Sequence, residues 1–176
     1  MSMPRLATIR MVLAAMALPL AAHAQAADAP ADAAPKLEFA FEEVVTLAAG
    51  MPVGPTALGG RNIIPITGGT FKGPGLSGEI LPGGWDWQLR RADGCLQIKA
   101  DYMLKTDDGV IINVVNQGVS CPRAAGEPAY VRTVPVFEPP LGKYAWMGQS
   151  AFVGILVSER KPGAAPAVRI RFYRVL

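Results

Sequence analysis

The sequence predicts an all-β protein: one antiparallel β-barrel of about eight to nine strands with little helix, calycin-like or similarly closed. Three observations carry this. Glycine (19 residues) and proline (16 residues) punctuate the whole chain, so no stretch keeps a helical period. Short β-branched and aromatic runs recur between those breaks at strand-and-turn spacing. One apolar face continues from run to run, and closing the sheet on that face removes its exposed edges.

The predicted strands are 37–47, 61–67, 76–81, 85–91, 95–105, 110–119, 129–137, 144–157 and 167–175. The last is the cleanest: Val168, Ile170 and Phe172 alternate with Arg169, Arg171 and Tyr173, which gives one dry face and one wet face. Asp93-Gly94 reads as a two-residue hairpin turn. That register sets Leu89 against Ile98, Trp87 against Ala100 and Trp85 against Tyr102. Asp86, Gln88, Arg90, Gln97, Lys99 and Asp101 then collect on the other, solvated face, with Asp86 opposite Asp101. Thr106-Asp107-Asp108-Gly109 reads as a second hairpin, with a three-residue loop over 107–109. Its register places Cys95 opposite Cys121, so the two cysteines are expected to form one structural disulfide.

Ahead of the first strand the chain has the three-part layout of a cleavable export signal over residues 1–24. Arg5 and Arg10 precede the uncharged run Met11–Ala22, and Ala22-His23-Ala24 offers small residues to a signal peptidase. The run has 12 residues, and a membrane-spanning helix needs about 20. Ala24-Gln25-Ala26 is a second cleavage site of the same kind. Residues 25–36 (QAADAPADAAPK) read as a disordered leader, and residues 37–176 as the folded domain. The expected setting is therefore the periplasm or the exterior, with no stable membrane anchor after cleavage.

Cleavage constrains the chemistry. It lowers the basic count from 17 to 15 against 14 acids, so the net charge falls from +3 to +1. No basic stripe remains to suit nucleic acid. His23, the single histidine, is lost, and histidine-based catalysis and histidine-ligated metal go with it. The sequence implies no cofactor and no metal site. Gly73-Pro74-Gly75-Leu76-Ser77-Gly78 fits G-x-G-x-x-G, but Pro82-Gly83-Gly84 follows too closely for the helix that a dinucleotide site requires. Asp107-Asp108-Gly109 lacks the further acids of a calcium loop.

The remaining candidates are carboxylates, phenols, guanidiniums and aromatic faces. Asp86, Glu138 and Tyr102 are candidate catalytic groups. Arg61, Trp85, Trp87, Arg132 and Trp146 are candidate ligand-binding groups, because flat rings with polar tips and isolated charges in apolar strands suit a small-molecule pocket, and Asn116 is a further ligand-binding candidate. Alternation does not settle whether Arg61, Arg132 and Glu138 face outward or into a pocket.

An ordered series of segments resembles the UPF0311 family, also called the DUF3237 domain. The series runs through Gly59–Gly69, Phe71–Gly78 and Leu81–Trp87, then Tyr102 with Thr106–Gly109. It continues through Asn116-Gln117-Gly118, Arg132–Pro135 with Phe137-Glu138, and Tyr144-Ala145-Trp146. It covers about residues 37–176. The resemblance implies a single-domain β-barrel without naming an activity. Two departures stand out: relatives often carry a small residue in place of Trp85 and Asn in place of Gly148. Three functions fit these readings. One is a binding protein for a small, partly apolar or aromatic molecule. Another is a cofactor-independent lyase, isomerase or hydratase working through Asp or Glu, Tyr and Arg. The third is a structural or interaction module with a filled barrel. The sequence does not fix the oligomeric state.

Overall fold

The computed structural model describes residues 34–159 and 162–176. The expected signal and most of the leader lie outside them. Ten strands form one antiparallel sheet: β1 (Leu37–Leu47), β2 (Met51–Thr56), β3 (Gly59–Gly73), β4 (Leu76–Ile80), β5 (Gly84–Arg90), β6 (Leu96–Thr106), β7 (Ile111–Ser120), β8 (Arg132–Glu138), β9 (Phe152–Glu159) and β10 (Ala167–Val175). A one-turn helix, α1 (Ala145–Gly148), sits between β8 and β9.

The sheet closes because β1 pairs both β10 and β3. Ten strands fill eight positions around the ring. β4 and β5 share the slot between β3 and β6, and β1 and β2 share the other edge of β3. This is the eight-stranded size whose interior is either packed or holds one small ligand. β3 runs long enough to serve both slots because it bends at Gly68-Gly69. Gly69 has φ +141°, and a Cβ there would lie 2.1 Å from the Val44 carbonyl oxygen, so no other residue fits.

Four sequence expectations need correction. β2 is not among the predicted strands, because Pro52, Gly54 and Pro55 break its pattern. Among the described residues it pairs only with β3, where proline is tolerated on an edge. β3 extends the predicted 61–67 segment through Gly73. The predicted 144–157 strand is two elements: Ala145–Gly148 turns once, tucking Met147 under the barrel, and pairing begins only at Phe152. The largest correction concerns β5. The loop after it is Ala92-Asp93-Gly94, closed by the Arg91 N–H to the Cys95 carbonyl at 2.9 Å. Three loop residues replace the expected two, and Gly94 takes the left-handed conformation at φ 81°. The register shifts by one: Asp86 stands opposite Ala100 and Trp85 opposite Asp101. A one-residue slip exchanges the two faces of a strand. Asp86 and Gln88 therefore turn into the barrel, and Trp85 and Trp87 turn out.

The other hairpin forms as expected. Gly109 (φ 85°) closes the 107–109 loop, Leu96 pairs with Ser120, and Cys95 is bonded to Cys121 one step beyond. G-x-G-x-x-G spans the β3–β4 turn, with strands on both sides.

The barrel is filled at one end only. Phe41 contacts the rings of Phe71, Phe137 and Phe172, and Phe137 in turn contacts Phe152. Leu104, Ile112 and Val114 are fully buried among them. α1 caps this end, and Asp108 ties it down. The Asp108 carboxylate accepts bonds from Tyr144 (2.9 Å), Lys143 (2.8 Å) and Thr106 (2.5 Å), so it serves as a structural clasp.

Candidate functional site

The other half of the barrel is hollow, with a cavity of about 880 Å³. Its apolar wall comes from Val45, Ile64, Ile66, Ile98, Leu156 and Ile170. Its mouth is ringed by short side chains of the connecting segments, among them Ala48, Ala129 and Ala164. The polar lining gathers on β5, β6 and β7, where Asp86, Gln88, Tyr102 and Asn116 face inward.

These residues meet through register. Ala100 on β6 pairs with Asp86 on one side and with Asn116 on the other, so all three share one level of the inner face. Tyr102 lies two residues deeper on the same face, a diagonal neighbour of both. Across the interior, the Tyr102 hydroxyl donates to Glu43 Oε1 on β1 at 2.5 Å. Glu43 is 1% exposed, and its second oxygen, Oε2, has no partner. Asn116 is likewise buried, with Oδ1 unpartnered. Buried polar atoms without partners are rare in native folds, and here two of them flank one phenol on the cavity floor.

The electrostatics follow from burial. Loss of solvent pushes the Glu43 carboxyl up to about 8, against the opposing pull of the Tyr102 hydrogen bond. Near neutral pH this carboxyl holds its proton. Tyr102 is pushed well above the ordinary phenol value, first by burial and then by the negative charge and hydrogen bond of Glu43. Burial also raises Asp86, offset by bonds from Gln88 Nε2 at 2.7 Å and from the Lys99 backbone N–H at 3.2 Å. Asn62 Nδ2 extends this chain to Gln88 Oε1 at 3.4 Å.

Of the sequence candidates, the fold brings together Asp86, Tyr102 and Asn116. The others lie elsewhere. Trp85 and Trp87 are 48% and 40% exposed on the outer surface, where the Arg61 guanidinium stacks over Trp87 at 5.3 Å. Arg132 is exposed and stacks on Tyr130 at 4.1 Å. Glu138 is exposed and pairs with the outward Asn113 position. Trp146 packs on Phe152 at the capped end. Asp101 lies on the outer face, where it accepts from Asn113 at 2.8 Å. Among the described residues, no group of three or more His, Cys, Asp and Glu is placed to hold a metal.

Glu43 and Gln88 are not among the sequence candidates. A signal for Glu43 exists: it occupies the parity of Phe41, Val45 and Leu47, an acid in an otherwise apolar row. Gln88 was hidden by the hairpin register.

The family model described as a protein of unknown function, DUF3237, matches residues 35–175. The chain belongs to the DUF3237 family. A UPF0311 protein of Rhodopseudomonas palustris is 36% identical over 134 residues, covering 68% of this chain and 88% of that protein. A crystal structure described as a beta-barrel like protein from Acinetobacter baumannii superposes with a TM-score of 0.73 at 32% identity. It covers 86% of this chain and 100% of that chain. A more distant relative, a hydroalkoxylation enzyme of Penicillium herquei, is 29% identical over 128 residues, covering 73% of this chain and 78% of that protein. DUF3237 membership and the closed barrel thus agree with the sequence reading.

Proposed function

We propose that this DUF3237 protein is a cofactor-independent acid–base enzyme that acts on a small, largely apolar molecule bound in the barrel. The observation that carries the reading is the Tyr102–Glu43 hydrogen bond on the cavity floor. A carboxyl poised near 8 exchanges its proton readily around neutral pH, which is what a general acid or base requires. When Glu43 is protonated, it donates to the Tyr102 oxygen and frees the phenol proton for the substrate. When Glu43 is ionised, Tyr102 passes its proton to Glu43 and accepts one from the substrate. Asp86, on the neighbouring wall, is the second acid–base group.

Two carboxyls with a phenol between them suit addition to, or elimination from, a carbon–carbon double bond. In the addition, a substrate O–H is deprotonated as its oxygen bonds to carbon, and the adjacent carbon takes a proton. No oxidant or reductant is consumed. The hydroalkoxylation relative supports this class. The export signal read from the sequence and the Cys95–Cys121 bond support a periplasmic or secreted setting.

A second reading, simple storage or transport of a ligand, is favoured by the mainly apolar cavity wall. Native mass spectrometry of the purified protein, followed by assays on hydroxylated alkenes, separates the two. The enzyme reading expects turnover that falls about a hundredfold or more in Tyr102→Phe and Glu43→Gln. Turnover unchanged in both variants removes it, and a co-purifying ligand recovered unaltered favours storage.

A further inference from the structure

β8 lies between β7 and β9 in the closed ring, so it offers solvent a face and not an edge. Its alternation is complete. Thr133, Pro135 and Phe137 are buried, while Arg132, Val134, Val136 and Glu138 are exposed. The two valines are 61% and 63% exposed. Val136 is paired with Val115 on β7, and Arg132 with Val119 on β7 and Ile155 on β9. The apolar surface thus extends from β8 onto both neighbouring strands. Single exposed aliphatic residues are ordinary on a soluble protein, but a contiguous patch across three strands marks a contact surface.

The row ends in opposite charges that the fold itself leaves unused. Among the described residues, neither Arg132 nor Glu138 takes part in an ion pair. Arg132 donates to the neighbouring Val131 carbonyl at 3.1 Å and lies over the exposed Tyr130 ring. Strand rise puts about 20 Å between the two charged positions, so they do not reach each other within one chain. The outward row reads cation, valine, valine, anion, and it is symmetric about Pro135. A two-fold axis through the Pro135 level, normal to the sheet, lays the row antiparallel on a copy of itself. Arg132 then faces Glu138 of the second copy at both ends, and Val134 faces Val136. That is the self-complementarity an isologous interface requires.

We propose that the outer face of β8 is the contact surface of a two-fold homodimer, in which Arg132 of each copy pairs with Glu138 of the other across a core of Val134 and Val136. The partner is a second copy of this chain, because the order of charges on the row is complementary to itself. A barrel is convex across its strands, so one strand forms the ridge of closest approach, and Val115 and Ile155 flank that ridge. The long side chains of Arg132 and Glu138 reach across where two such ridges diverge. The contact is of modest area, and association in the micromolar range is expected. The interface lies on the outside of the barrel and is independent of the chemistry proposed for the cavity.

Sedimentation velocity of the purified protein across the micromolar concentration range tests this. The unaltered protein is expected to shift from monomer to dimer as concentration rises. Arg132→Glu and Glu138→Arg each set like charges against one another at both ends, so each variant alone should associate at least about tenfold more weakly. Mixing the two variants restores opposite charges at both ends, and the mixture should dimerise about as the parent does. The double variant Arg132→Glu/Glu138→Arg should likewise dimerise by itself. Both positions are exposed, so the reversals leave the fold intact, and recovery in the mixture shows directly that they do. A parent that stays monomeric throughout overturns the proposal, whether the face is bare or serves a different partner. Undiminished association of the single variants overturns it as well, as does a mixture that remains monomeric.

Discussion

Tyr102 on β6 and Glu43 on β1 are 59 positions apart in sequence and meet at 2.5 Å inside the barrel. Among the described residues the phenol provides the one hydrogen bond that the buried carboxyl makes, and the other carboxyl oxygen is buried without a partner.

This pair makes stability depend on pH with an unusual sign for a carboxyl. The Glu43 carboxyl is raised to about 8 in the fold, while an exposed glutamate titrates near 4.5. Between those values the native state binds a proton that the unfolded chain has released. Stability is therefore full below about pH 4.5 as far as this group is concerned, and it falls as pH rises toward 8. Asp86, also raised by burial, adds in the same direction. Urea unfolding at pH 5 and pH 9 is expected to show the protein weaker at pH 9. Glu43→Gln should remove most of the difference, on the order of a few kcal/mol. A variant with the same pH dependence as the parent would show that Glu43 is not the titrating group.

Removing the phenol oxygen tests the pair from the other side. Tyr102→Phe strands a buried carboxyl and is expected to cost about 1–3 kcal/mol of unfolding free energy. The double variant Tyr102→Phe/Glu43→Gln should cost less than the sum of the single changes, because the two groups are coupled. Strict additivity in chemical denaturation would mean that the bond contributes nothing.

The β5 register predicts opposite behaviour for adjacent residues. Trp85→Ser alters an outward ring that is 48% exposed, so it should change stability by about 1 kcal/mol or less and leave ligand affinity as it was. Gln88→Leu alters an inward amide that braces Asp86, so affinity for a hydroxylated ligand should drop. Loss of affinity in Trp85→Ser with none in Gln88→Leu would restore the two-residue turn that the sequence suggested.

The disulfide closes a loop between β6 and β7 that ends beside Leu96 and Ser120 on the cavity lining. Cys95→Ala/Cys121→Ala is expected to lower stability by about 3 kcal/mol. Hydrogen exchange should accelerate first at this end of the hairpin rather than at the 107–109 turn, which the Asp108 clasp holds. Uniform acceleration along both strands would contradict a local role.

At the filled end, Phe41 is fully buried against three other phenylalanine rings. Phe41→Ala should cost about 3–5 kcal/mol in denaturant unfolding, because the ring cluster cannot collapse into the space.

Local chemistry made much of the barrel legible in the sequence. Alternation in Val168-Arg169-Ile170-Arg171-Phe172 sets which face of β10 is dry, because side chains alternate across any strand. The 107–109 loop with Gly109 sets the β6–β7 register, and that register sets the cysteine pair. Tyr102 and Asn116 both stand in segments that resemble the family. The tertiary structure decided what local pattern could not. Asp93-Gly94 suits a two-residue and a three-residue loop alike; closure against β3 and β6 selects the longer one, and that single residue carries Asp86 inward and Trp85 outward. Glu43 and Tyr102 become partners only when β1 seals the ring against β3 and β10, since contact between strands so far apart in sequence is a property of closure. The hollow is decided in the same way: five phenylalanines gather at one end, and the smaller side chains left at the other do not fill an eight-stranded circumference.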